Sequence, residues 1–373
     1  MIEAYQRLKA PRIVGMISGT SADAIDAALV QIEGGQMRLL RFLSRPYPPP
    51  VRELIFELME DRASVRQAAR AHFLLGGLFA DAAVEVIAGE RVDLIASHGQ
   101  TVVHLPSESP PSTLQLGEAA VIAEKTGTLT VSDFRPSDMV LGGQAAPLVP
   151  YFDAWLMRSS ELDRAAINIG GMANVSWIPR QGDVRGWDSG PGNVVSDALA
   201  ERFLGQPADF GGKMATTGRV NPEILTEMLQ HPYFLALGPK STGREDFGRD
   251  FIDPFLERAT PADLMRTALA LTAETLLNSM KSVISGPFEM VVGGGGYHNP
   301  VLMQELRERA SSFPLSRLVG FEEFGISADA REACAFALMA HETLHGRPSS
   351  VSTVTGAVRP ALLGKVTFPT PVA

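Results

Sequence analysis

An acid heads a run of small residues near the middle of the chain, in Trp187-Asp188-Ser189-Gly190-Pro191-Gly192-Asn193. The carboxylate ends an expected strand, and the small residues lead into an expected helix from Asn193 to Leu204. A helix N-terminus favours negative charge through free N–H groups and its dipole. Asp188 placed there would stay ionised, which is the form a general base needs. The same pattern also fits a helix cap, and the segment alone leaves both roles open. Just upstream, Ile167 to Trp177 runs apolar into Gly170-Gly171 and leaves as an alternating strand. That is the pattern of a hairpin with a tight glycine turn. Glycine permits positive φ and close approach of the backbone, so such a turn can present a nest of N–H donors to phosphate oxygens.

Two more small-residue turns follow strands. Gly19-Thr20-Ser21-Ala22-Asp23-Ala24 lies between the strand patterns Arg12 to Ser18 and Ile25 to Ile32. It carries hydroxyls and carboxylates but no lysine, so it is not a Walker A loop. Read alone, it is also an ordinary polar hairpin tip. Gly293-Gly294-Gly295-Gly296-Tyr297-His298-Asn299 follows the strand pattern Glu289 to Val292 and precedes a helix at Pro300. Strand, glycine run and helix are compatible with a nucleotide, although His298 stands where a dinucleotide fingerprint has its last glycine. Two of the three turns could cradle phosphates, and the third could lie against a base or ribose. Phosphoryl transfer asks mainly for positioning, a metal and a base.

Single residues add to these turns. The short strand Asp93 to Ser97 would deliver His98 at its C-terminal end, where ligands sit in α/β folds; a structural histidine is the other reading. Arg135 follows the strand pattern Leu129 to Ser132. It could pair with Asp133 or Asp138, or grip a substrate carboxylate with its planar fork. Glu332, in the helix pattern Asp329 to His345, faces either a cleft or water.

The elements that must hold these residues form two parallel series. The chain opens as strand, turn, strand, turn, strand, with Met37 to Ser44 as the third strand. Helical patterns cover Arg52 to Asp61, Ser64 to Gly89 and Gly117 to Thr126. Gly142-Gly143-Gln144-Ala145-Ala146-Pro147 breaks the pattern. A boundary there gives an N-terminal domain at 1–145 and a C-terminal domain at 146–373, each beginning with strand, small-residue turn, strand. Polar loops at 209–218 and 239–245 are surface or binding loops. A long helix runs from Thr260 to about Ile284.

Composition narrows the classes. The 373 residues carry 33 Lys and Arg against 42 Asp and Glu, a net charge of −9, with no basic block. Nucleic acid and anionic membrane surfaces are not expected partners, while backbone N–H groups can bind phosphate without net positive charge. The one cysteine, Cys334, lies in an apolar helical run, which excludes an internal disulfide and a cysteine-based zinc site. The first residues lack the apolar stretch of a signal peptide, and no run is long enough to cross a bilayer, so a cytoplasmic protein is expected.

The motifs, taken in order, resemble one family. They are Gly19-Thr20-Ser21-x-Asp23-x-Ile25-Asp26, Ser97-His98-Gly99-Gln100-Thr101, Asp133-Phe134-Arg135, Gly142-Gly143-Gln144, Ile169-Gly170-Gly171-Met172-Ala173-Asn174, Asp188-Ser189-Gly190-Pro191-Gly192-Asn193, Pro239 to Glu245, and Gly294-Gly295-Gly296 with His298-Asn299-Pro300. They look like those of the anhydro-N-acetylmuramic acid kinases, and they span about Val14 to Ala340.

The resemblance implies an α/β fold of two ribonuclease-H-like, actin-like ATPase domains with an ATP cleft between them. It implies that ATP and water convert 1,6-anhydro-N-acetylmuramate to N-acetylmuramate 6-phosphate, in peptidoglycan recycling. It gives Asp188 the role of general base. Gly19, Thr20, Ser21, Ala22, Asp23, Ala24, Ile25 and Asp26 would form the first phosphate turn. Gly170, Gly171 and Asn174 would form the second, with Gly294, Gly295, Gly296 and Asn299 by the adenosine. His98, Arg135 and Glu332 are candidates for holding the sugar, and Asp23 and Asp26 for holding Mg²⁺ through water. A homodimer is also implied. The sequence departs from the family pattern at Ala24 and Ala145, where glycine is usual, at Asp153, where histidine is usual, and at Trp187, where phenylalanine is common. If position 24 needs positive φ, alanine costs about 1 kcal/mol there. A kinase of another sugar or hydroxy acid, and a shape-cycling ATPase of actin or Hsp70 type, are the rival readings. His98, Arg135 and Lys240 speak against the first. The acid at Asp188, with no sign of a peptide-binding or filament-forming region, speaks against the second.

Overall fold

The computed structural model describes residues 1–235 and 246–371. Its strands, in chain order, are β1 Arg12–Ser18, β2 Ala24–Glu33, β3 Gln36–Pro46, β4 Leu94–Leu105, β5 Ser112–Leu116 and β6 Thr130–Ser132. They continue as β7 Asp163–Ile169, β8 Met172–Ile178, β9 Arg185–Pro191, β10 Phe288–Gly293, β11 Leu315–Gly320 and β12 Lys365–Thr367. The chain forms two compact units, one of Met1–Leu156 with Phe324–Ala373 and one of Met157–Glu323.

Each unit has one sheet, and both sheets repeat one order. In the first the path is β12-β6-β4-β1-β2-β3, and in the second β11-β10-β7-β8-β9. The opening three strands of each are antiparallel neighbours, and the next two run parallel to the first. This order, third-second-first-fourth-fifth, is the ribonuclease-H-like topology, occurring twice. The first unit adds β5 as a hairpin partner of β4 and β12 antiparallel to β6.

Alternation along β1 shows how its sheet is packed. Val14 and Met16 enter a core with the Val65–Ile87 helix, whereas Ile13 and Ile17 face the core of the Arg331–Leu344 helix. Successive side chains of a strand point to opposite faces, so this sheet is covered on both. Gly15 sits beneath the second helix; a Cβ there would lie 1.9 Å from the Ala333 carbonyl oxygen. The close approach it permits draws the last helix onto β1. The grouping therefore differs from a division at 145/146, because the closing segment of the chain packs with the first unit. Cys334 lies fully buried in that helix, and burial pushes its thiol up, as expected of a structural cysteine.

The Pro150–Met157 helix places Asp153 at 0% exposure against Arg331 at 4%. Arg331 Nε donates to Asp153 Oδ1 at 2.8 Å, and Arg331 Nη2 to Oδ2 at 2.5 Å. The departure at position 153 thus supplies the counter-charge of a buried arginine. Further along the Arg331–Leu344 helix, Tyr5 Oη lies 2.8 Å from His341 Nδ1. Burial, then the charges of His345 and Arg347, push His341 down to about 4.

Two outcomes follow. Asp153→Asn removes the carboxylate charge held against a buried guanidinium and should cost about 3–5 kcal/mol, read as a fall in denaturant midpoint at unchanged slope. His341 has a folded pKa below the ordinary value of about 6.5, so the unfolded chain takes up its proton first. Its contribution is complete above about 6.5 and is lost as pH falls toward about 4. A melting-temperature series across that window should slope less in His341→Gln than in the parent; equal slopes would assign the acid sensitivity elsewhere.

Candidate active site

In the second unit, cross-strand pairing lines up one row of polar residues. Gly293 of β10 faces Asn168 of β7, Asn168 faces Asn174 of β8, and Asn174 faces Asp188 of β9. Partners in a row share a face. The adjacent Ile167, Ile169, Val175 and Trp177 enter the core of this unit, so the two asparagines and the acid occupy the opposite face, half-buried. The register slips between Ala173 and Asn174, which leaves Ser189 unpaired as a bulge beside Asp188. Ser189 is buried, and its Oγ donates to the Ala173 carbonyl at 3.0 Å.

Asp188 therefore lies within β9 rather than at the start of the helix. That helix runs Val194–Leu204. The N–H groups that lead into it are already used: Gly192 and Val194 donate to the Gly171 carbonyl at 2.9 and 3.0 Å, and Asn193 to Gly170 at 2.8 Å. A Cβ on Gly192 would stand 2.3 Å from the Gly170 oxygen, so this closure requires glycine. The turn thus spends its carbonyls on the chain leading into the helix, and the Gly170 N–H donates to the Met172 carbonyl at 3.1 Å. Among the described residues the Gly171 N–H meets no acceptor.

The third glycine run packs directly on this turn. Gly294 has φ +81°, and a Cβ there would meet Asn168 Oδ1 and the Ile169 carbonyl at 2.7 Å. Gly296 lies against Ile169, and Gly295 beside the Asn193 amide. Asn299 caps the Pro300–Ala310 helix, its Oδ1 accepting from Val301 N at 3.0 Å and Leu302 N at 3.3 Å.

In the first unit the turn after β1 is built differently. Ala22 N–H donates to the Gly19 carbonyl at 3.1 Å, and Gln100 Nε2 donates to the same oxygen at 3.1 Å. Asp23 Oδ1 accepts from Ser21 Oγ at 2.8 Å and from Ala24 N at 3.0 Å. Thr20 and Ser21 are exposed, and among the described residues their N–H groups have no acceptor. Ala22 and Ile25 are buried at 0% and 1% and serve the core. Asp26 lies between Ile17 of β1 and Ser44 of β3. Burial, with the nearby charges of Asp23, Glu332 and Asp329, raises it to about 6 against the opposing hydrogen bond from Ser44. Among the described residues no three His, Cys, Asp or Glu side chains converge on a metal-sized site. Asp23 and Asp26 fit a cation held through water, since it would relieve the mutual repulsion of these acids.

His98 is not at a strand end. β4 continues past it, paired with β1 as far as Gln100 and then with β5 to Leu105. The ring is 3% exposed and packs on Phe336 at 4.5 Å between centroids. Arg135 Nε donates to His98 Nε2 at 2.9 Å, so that nitrogen is the acceptor and Nδ1 carries the proton, donated to the Gly99 carbonyl at 3.0 Å. Burial and the arginine charge hold His98 well below its ordinary pKa, as a neutral ring. Arg135 also donates from Nη1 to the Ala145 carbonyl. The acids considered as its partners are used elsewhere: Asp133 binds Lys365 at 2.7 Å, and Asp138 accepts from Ala145 N and Thr355 Oγ1 at 2.9 Å each. Among the described residues no carboxylate lies within 4.0 Å of Arg135. Burial lowers Arg135 to about 10, with the charge of Glu332 opposing. Glu332 itself is exposed, in the first turn of its helix.

Sequence reasoning passed over Gln100, which also accepts from Ser18 Oγ at 2.5 Å, and Asn168. The signal for Asn168 was a lone amide between two isoleucines of a buried strand. The 239–245 motif lies outside the described residues. The indole N–H of Trp187 is buried with no partner among the described residues, a donor that phenylalanine would not bring.

Two units of one strand order, each offering N–H groups from the turn after its first strand, define the sugar kinase, Hsp70 and actin class of fold. Residues 11–369 match the family described as anhydro-N-acetylmuramic acid kinase, and the chain belongs to that family. A relative of that name from Caldanaerobacter subterraneus subsp. tengcongensis is 41% identical over 385 residues, 95% of this chain and 96% of its own. One from Synechococcus elongatus is 40% identical over 377 residues, 95% of this chain and 99% of its own. A solved ROK family glucokinase from Streptomyces griseus, in complex with glucose and AMPPNP, is similar over 89% of this chain and 99% of its own, at 13% identity and a TM-score of 0.41.

The structure moves the question of the missing glycines. Ala24 opens β2 and is not among the positive-φ residues, whereas Ala22 and Ala145 have φ 48° and 53°. Ala24→Gly should leave the KM for ATP in place and cost about 0.5–1 kcal/mol. Ala145→Gly should be near neutral: about 1 kcal/mol of left-handed strain is relieved against about 0.8 kcal/mol for a lost buried methyl. Melting curves and ATP kinetics on both variants check this, and a marked KM change for Ala24→Gly would contradict an extended backbone there.

Proposed function

We propose that this protein is the ATP-dependent kinase that hydrolytically opens 1,6-anhydro-N-acetylmuramate and phosphorylates O6, giving ADP and N-acetylmuramate 6-phosphate. The observation that carries the reading is the polar row ending at Asp188, set beside a turn whose Gly171 N–H meets no acceptor among the described residues. Asp188 takes a proton from water as the water oxygen bonds to the anomeric carbon. The bond from that carbon to O6 breaks, O6 takes the γ-phosphoryl group, and ADP leaves. The carboxylate gives up its proton afterwards.

Gly170, Gly171 and Asn174, with Gly19 to Asp26, are assigned to the phosphates, and Gly294 to Gly296 with Asn299 to the adenosine. Mg²⁺, when bound, neutralises phosphate charge, with Asp23 and Asp26 holding it through water. Arg135 is assigned to the lactyl carboxylate of the sugar. The support is a buried guanidinium without a carboxylate partner among the described residues, held by a neutral His98. A buried charge calls for an opposite one, and the substrate brings it. In this reading His98 acts through Arg135, and Glu332 approaches the sugar from its exposed helix turn. The rival shape-cycling ATPase does not account for Asp188.

The place of the reaction is recycling of peptidoglycan fragments in the cytoplasm, by a homodimer. Family membership supports this. Among the described residues no helix is long and apolar enough to cross a membrane.

ADP release with Mg-ATP should depend on 1,6-anhydro-N-acetylmuramate in the wild type, yield N-acetylmuramate 6-phosphate, and fall by about 10²-fold or more in Asp188→Asn. ATP binding without turnover on this sugar would overturn the substrate assignment, and an unimpaired Asp188→Asn would remove the base.

A further inference from the structure

The short helix Pro232–Leu235 packs against the strand that carries Asp188. Tyr233 Oη donates to the backbone carbonyl of Asp188 at 2.8 Å. The next residue, Phe234, closes on Gly190, where a Cβ would stand 2.7 Å from Phe234 Cε1. Gly190 has φ +135°, so the chain there both takes a conformation that side chains avoid and leaves room for the ring. Phe247, fully buried, stacks on Phe234 with centroids 5.4 Å apart and meets Tyr233 edge-on at 5.7 Å. The two residues are thereby tied into the core of the unit.

We propose that Tyr233 is a positioning residue for Asp188, fixing the peptide plane that sets the direction of the carboxylate. The need for it comes from the bulge. A bulge removes one ladder pairing and frees the strand to bend, and this one falls at Ser189, directly after the acid. Ser189 Oγ holds one side of the bulge through the Ala173 carbonyl. The Asp188 carbonyl, on the other side, is held by Tyr233. Burial, with the charges of Asp188 and Asp246 adding to it, raises the Tyr233 phenol, so it remains a donor at every working pH. A base must be held close to its productive direction, and a shift of about 1 Å can cost about 10²-fold.

The inference rests on Asp188 as the base, and the test separates the two. Tyr233→Phe removes one oxygen and keeps the ring. Steady-state kinetics, ATP affinity by calorimetry and melting temperature are measured on wild type, Tyr233→Phe and Asp188→Asn. The expected result for Tyr233→Phe is a kcat lower by about tenfold, with ATP affinity unchanged and the melting temperature within about 3 °C. A wild-type kcat overturns the proposal. A parallel fall of kcat, ATP affinity and melting temperature also overturns it, by making the hydroxyl merely structural. Asp188→Asn with wild-type turnover would instead refute the base assignment, whatever Tyr233→Phe shows.

Discussion

Two carbonyl oxygens, those of Gly170 and Gly171, take the N–H groups of Gly192, Asn193 and Val194. The second unit's site depends on this closure. Segments more than twenty residues apart become one piece, and β9 is drawn alongside the turn with its acid in the polar row. A side chain at Gly192 would collide with the turn, so the approach is possible only for glycine. The direction of the bonds matters as much as their number. The N–H groups leading into the helix are taken by the turn's oxygens, its dipole points at the turn, and among the described residues the Gly171 N–H meets no acceptor.

The first unit solves a different electrostatic problem. Arg331 and Arg135 are both held in the interior; Arg331 has a carboxylate, Asp153, against it, whereas among the described residues none lies within 4.0 Å of Arg135. Arg135 is held by neutral acceptors, the His98 ring and the Ala145 carbonyl. Such partners fix a guanidinium in place without cancelling its charge. The departure from glycine at position 145 falls on the residue whose carbonyl does this work, and its N–H is taken by Asp138. Its left-handed backbone is therefore over-determined from both sides, which is how an alanine keeps a conformation costing about 1 kcal/mol.

The glycine turns, the duplicated strand-turn-strand openings and the buried cysteine were legible in the sequence because each rests on local chemistry and period. Other features depended on partners distant in the chain. Asp188 reads as a strand end because glycines follow it, but pairing with β8 carries β9 on to Pro191. His98 reads likewise, until β1 and β5 extend β4 on either side of it. Small residues in a turn do not reveal which one has positive φ, so attention fell on Ala24 while Ala22 and Ala145 adopt it. The closing segment joins the first unit because Gly15, more than three hundred residues earlier, makes room for the helix backbone. No window of sequence contains both ends of that contact.

The duplicated order also lets the two sheets be compared strand by strand. Asp26 is the third residue of β2, and Asn174 is the third residue of β8, so the two hold equivalent places after their turns. In the first unit the equivalent row reads Ile17, Asp26, Ser44; in the second it reads Asn168, Asn174, Asp188. The carboxylate has moved from the second strand of one sheet to the third strand of the other. Asp26 is raised to about 6 by burial and by three neighbouring acids, so its ionised form is one that a bound cation would stabilise. Asp188 stands opposite Asn174 and beside the Ser189 bulge, with its backbone carbonyl accepting from Tyr233. Asp26 is thus crowded by like charges, whereas the residue paired with Asp188 across the row is an amide, Asn174. The two rows thus place their acids on different strands and among different neighbours, Ile17 and Ser44 in one sheet and Asn174 in the other.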